Sequence, residues 1–98
     1  MLAFLIRTAD THEWPAFHRD SLAEVFAAAG SGCVPIDGWG DFRARWRATE
    51  VSFSGEDAGW QVTFDGSPEH DDAVSLLEAI TRRVERSAGE RCEWIQIS

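Results

Sequence analysis

The sequence predicts an α+β fold: a four-stranded antiparallel sheet with two helices on one face. Three observations carry that expectation. Residues 42–48, 50–53 and 60–66 alternate apolar and polar side chains on either side of the turn-forming "SGEDAG", as the arms of a hairpin do. Two longer stretches repeat apolar residues near every 3.6 positions, each with a proline near its start (Pro15, Pro68) and a glycine at its end (Gly30, Gly89). Short apolar runs at residues 2–7 and 91–98 add two more strands.

The first strand, residues 2–7, has apolar groups on both faces: Leu2, Phe4 and Ile6 on one, Ala3 and Leu5 on the other. That pattern suits a central strand. "DTHEWPAFHRDSLAEVFAAAG" reads as the first helix, with Asp10 or Thr11 as its cap and Trp14, Phe17, Leu22, Val25, Phe26 and Ala29 as its apolar stripe. "SGCVPIDGWGD" reads as a loop. In "FRARWRAT", Phe42, Ala44, Trp46 and Ala48 alternate with Arg43, Arg45 and Arg47 on what should be an edge strand. "EVSF" follows with opposite parity. Either a bulge near Thr49 reconciles the halves, or Asp41 caps a short helix ahead of a strand at 50–54. "WQVTFDG" is the partner strand, with Trp60, Val62 and Phe64 inward.

Ser67 and Pro68 then open the second helix, with Glu69, Asp71 and Asp72 in a first turn whose dipole favours negative charge. Val74, Leu77, Ile80 or Thr81, Val84 and Ala88 form its apolar face, and Arg82, Arg83 and Arg86 suit its last turns. "RCEWIQIS" is the final strand. The order β-α-β-β-α-β is that of the ferredoxin-like sandwich, with the strands side by side as 4-1-3-2. Leu5, Ala3, Trp94 and Trp46 are expected on the face without helices.

The 98 residues fit one domain, 1–98, able to bury a core. Nine basic against 17 acidic residues give a net charge of -8, which repels phosphate backbones and anionic membranes. The expected partner is therefore neither nucleic acid nor membrane but a protein with a basic surface. All nine bases are Arg, and without Lys or Tyr there is no Schiff-base amine and no phenol. Cys33 and Cys92 form no CxxC pair and read as free thiols; the start carries no basic n-region, so a cytoplasmic setting is expected.

No motif identifies an enzyme, a cofactor or a metal. "GSGCVPIDGWG" has the glycines of a phosphate loop, but they follow a helix and precede a strand, the reverse of what an anion cradle requires. His12, His18 and His70 show no ligand spacing; His70 with Asp65 or Asp72 is the only pairing of interest. No Ser stands in GxSxG, and neither Cys has a His nearby.

What stands out is charge of one sign. Arg47 is followed by no Lys or Arg until Arg82, while Glu50, Glu56, Asp57, Asp65, Glu69, Asp71, Asp72 and Glu78 intervene. The reading is a non-enzymatic binding module whose docking surface uses Glu56, Asp57, Asp65, Glu69, Asp71 and Asp72 for charge, with Trp39 and Trp60 as anchors. Immunity proteins for bacterial toxins and small phage-encoded inhibitors share this short, acidic, motif-free character. The alternative is a dimer, joined through the open sheet face, that binds or acts on a small apolar ligand in a pocket lined by Leu5, Trp46 and Trp94.

Overall fold

The computed structural model describes all residues, 1–98. Six strands run β1 (Leu2–Thr8), β2 (Cys33–Pro35), β3 (Phe42–Trp46), β4 (Thr49–Glu56), β5 (Gly59–Asp65) and β6 (Cys92–Gln96). Two helices, α1 (Leu22–Phe26) and α2 (His70–Ala88), complete the α+β fold. The sheet order is β2-β3-β4-β5-β1-β6, antiparallel at every step. The expected four-stranded ferredoxin-like sheet is therefore corrected to six strands. β6-β1-β5-β4 have the expected neighbours, and β3 and β2 extend the sheet beyond them.

The additional strands have a local cause. The parity change near Thr49 is neither a bulge nor a helix start. Arg47 and Ala48 form the turn of a tight hairpin, so Trp46 pairs with Thr49 and the chain reverses. Arg47 takes φ 56°, unusual for a residue with a side chain. Its guanidinium lies 4.8 Å over the Trp46 ring and donates to Asp72 (2.7 Å), contacts that offset the strain. "CVP", expected in a loop, pairs with β3 and becomes the edge, so the arginine strand is internal.

The first helix forms only as α1, preceded by a single 3-10 turn at Arg19–Ser21. A residue before proline avoids the α region, and Trp14 precedes Pro15. His12 at φ 56° has already left it. The Pro15 carbonyl instead accepts from the buried Trp60 indole Nε1 (3.0 Å), which pins the segment to the sheet. Phe17 packs edge-on against Phe26 there. α2 is close to expectation, but starts at His70 with Glu69 as its N-cap rather than at Ser67 and Pro68. Its buried face is Ala73, Leu76, Leu77, Ile80, Thr81 and Val84, and Gly89 in the left-handed region closes it.

Both helices cover one sheet face. The core is an aromatic stack: Phe26 lies 4.2 Å from Phe53, nearly parallel, and meets Trp60 edge-on at 5.1 Å. Phe4, Phe26, Phe53 and Phe64 are wholly buried, each contributing about 2–3 kcal/mol. Register puts Trp94 opposite Ile6 and Trp46 opposite Cys33, so both tryptophans lie on the helix side. That corrects the expectation of an open face bearing Trp46 and Trp94. Leu5 is on the other side, so the three residues do not line one pocket.

The open face carries instead the row Ala3, Thr63, Ser52, Arg43, one register position on four neighbouring strands. These residues are buried without any helix above them. Residues 38–40 fold over one end of the row, with Trp39 5.1 Å above the Arg43 guanidinium. Gly38 is required because a Cβ there would run into the Arg43 side chain. No helix is long and apolar enough to cross a membrane.

Candidate functional site

The β4–β5 hairpin places Glu56 and Asp57 at its tip, one end of the sheet. Antiparallel pairing of β1 with β5 brings the chain leaving β1 to the same end, since Ile6 faces Trp60. Glu13, Trp14 and Arg19 therefore stand beside the tip. Asp41, entering β3, closes the third side, its Oδ2 accepting from the Gly55 amide (2.7 Å). Asp41 thus braces the hairpin instead of capping a helix. Gly59 is needed at the turn because a Cβ would meet the Ile6 carbonyl. Together these residues line an open cleft of about 480 Å³ with Trp60 as its floor.

The tryptophans of the cleft divide their roles. Trp60 is 4% exposed and is a core residue, which removes it as a surface anchor. Trp14, its ring 5.4 Å away, is 42% exposed and presents the aromatic surface. Around it stand the carboxylates of Glu13, Asp41, Glu56 and Asp57, against the single guanidinium of Arg19. None of the four carboxylates has a cationic partner within 4 Å. Ser54 Oγ donates to Glu56 (3.2 Å), which orients that carboxylate without neutralising it.

The remaining expected residues lie elsewhere. Asp65 and Asp72 are at the far end of β5, about 20 Å away at the rise of a strand. Asp65 shares the Arg43 guanidinium with Glu50, whose Oε1 accepts from Arg43 Nε (2.9 Å). Burial acts to lower the Arg43 pKa, but the hydrogen bonds to Asp65 and Glu50 outweigh it and hold it above the usual value. Asp72 is bound to Arg47 (2.7 Å). Glu69 occupies the N-cap position of α2 without a side-chain capping bond, and Asp71 projects into solvent beside His70. Trp39 is 57% exposed on the open face, outside the cleft. The run of acids is therefore two groups, and at the helix start two of the four, Asp65 and Asp72, are engaged by the arginines of the β3–β4 hairpin.

Sequence reasoning missed Glu13, Trp14, Arg19 and Asp41. Trp14 falls on the stripe at helical spacing, but the Trp-Pro step keeps Trp14 itself out of the α region.

His70 Nε2 lies 2.9 Å from Gln96 Oε1, and no three His, Cys, Asp or Glu side chains are grouped to hold a metal. Both thiols are free, on opposite edge strands. Burial raises the Cys33 pKa, and burial with Glu85 and Glu90 pushes Cys92 up to about 11. Compared with protein-family models, curated proteins and solved structures, the chain matches none.

Proposed function

We propose that this chain is a small non-enzymatic, cytoplasmic binding module of inhibitor or immunity type that masks a basic site on a partner protein. One observation carries the reading: four carboxylates without cationic partners surround an exposed indole in a single cleft. Unpaired acids at one end cost the free protein some mutual repulsion, and a guanidinium entering the cleft relieves it. The indole face adds cation–π attraction of about 0.5–2 kcal/mol as water is displaced. Arg suits the site better than Lys, since its planar fork stacks on Trp14 while donating to Glu56 or Asp57. The unpaired acids of the cleft, concentrated at one end of the sheet, then steer a basic surface toward it and speed encounter.

The test uses a blocked tripeptide, acetyl-Gly-Arg-Gly-amide, followed by isothermal titration and by the Trp14 indole resonance. Binding should weaken several-fold for W14A and by about tenfold or more in E56Q/D57N. If the peptide perturbs no residue of the cleft, the proposal fails.

A further inference from the structure

A second cleft, of about 390 Å³, lies between α2 and the segment at residues 29–31. Trp46, Arg47, Asp72, Ser75, Leu76 and Arg83 contribute to its lining. Arg83 is the anomaly. The chain has 17 acidic residues, yet none comes within 4 Å of this half-buried guanidinium. Its Nε donates to the Val25 carbonyl (2.7 Å), and its Nη2 is buried without a hydrogen-bond partner. Burial lowers its pKa below the usual arginine range, although arginine stays protonated. Arg43 shows the contrast: more deeply buried, and also left with one unpartnered nitrogen, Nη1, it is nevertheless held by two carboxylates. A half-buried guanidinium with one donor unspent and no carboxylate beside it gains from a counter-charge that the fold does not supply.

The cleft also selects among anions. Arg47 and Arg83 against Asp72 leave one net positive charge, which suits a monoanion and repels a second negative charge. Trp46 and Leu76, both largely buried, give it an apolar wall. Ser75 is an exposed hydroxyl on the rim of α2. We infer that this cleft binds a monoanionic carboxylate with a small apolar body, its oxygens on Arg83 and its body against Trp46 and Leu76. The inference is independent of the acidic cleft and of its partner.

Benzoate and sulfate, titrated separately into ¹⁵N-labelled protein at pH 8, provide the test. Benzoate should shift the Trp46 indole N–H and the Arg83 Nε–H with saturation on the order of 1–10 mM, an ordinary efficiency for so small a ligand. Sulfate, a dianion without an apolar body, should bind at least about tenfold more weakly. S75E adds a carboxylate at the exposed rim, and should weaken benzoate binding by about tenfold or more while the rest of the spectrum is unchanged. R83Q should abolish binding, and R83K should retain part of it. Should R83Q fail to fold, S75E decides. Absence of saturation by about 50 mM, equal binding of sulfate, or unaffected binding in S75E would each overturn the inference.

Discussion

The two ends of β5 carry similar numbers of carboxylates and treat them in opposite ways. At the helix-start end, Asp65 and Asp72 are held by Arg43 and Arg47. At the hairpin-tip end, Glu13, Asp41, Glu56 and Asp57 face one another with no cation within 4 Å. The first group contributes to the fold; the second is available to a ligand. A charge count along the chain does not separate these cases, because compensation comes from hairpin arginines that are distant in sequence from Asp65 and Asp72.

The largest test of the contrast removes its structural half. In R43L, Glu50 and Asp65 are left facing each other beside a buried apolar group. Loss should be about 3 kcal/mol, the low end for a broken buried pair because both carboxylates remain partly exposed. Urea denaturation reads this as a lower midpoint.

D72N is milder. Its partner Arg47 is 62% exposed, so at most about 1 kcal/mol should be lost, with no change in affinity for the arginine tripeptide. E56Q/D57N should do the reverse, weakening that peptide about tenfold or more while stability holds or rises by a few tenths of a kcal/mol. A double mutant with D72N's profile would erase the distinction between the two ends.

A smaller effect sharpens the cleft itself. Arg19 is its single base, and R19Q should tighten the peptide a few-fold by removing a like charge. Fluorescence titration at low salt would register the change.

The smallest concerns Cys92. Its folded pKa is raised to about 11, above the ordinary thiol value of 9.0. The stability linked to the neutral thiol is therefore fully present below about pH 9 and declines as pH rises toward 11. C92S should show a flatter alkaline limb in thermal melts between those values.

Much of the fold was legible because it rests on local patterns. Residues 42–48, 50–53 and 60–65 each alternate, and Ser67 to Gly89 carry the stops and dipole-matched charges of a helix, so β4, β5 and α2 followed. The first helix misled because Trp14, Phe17 and Phe26 do fall at helical spacing. What overrode the spacing is tertiary: the Pro15 carbonyl is engaged by Trp60, some 45 residues away in sequence. The Arg47–Ala48 turn was hidden for a related reason, since neither residue is a usual hairpin residue and Trp46 and Asp72 stabilise the strained backbone. The site was half legible. Glu56 and Asp57 came from charge, but Glu13, Trp14 and Asp41 reach them only through the pairing of β1 and β3 with the central strands.

The central claim is that the hairpin-tip acids, gathered without a cation around the Trp14 indole, recruit a cation, whereas Asp65 and Asp72 are already engaged by arginines. It is tested most directly by the association rate of an arginine-rich peptide between 50 and 500 mM salt, where the screening length falls from about 14 to about 4 Å. The wild-type rate should drop steeply, the E56Q/D57N rate should be low and nearly flat, and D65N/D72N should follow the wild type. Equal slopes for the two double mutants, or a wild-type rate indifferent to salt, would contradict the account.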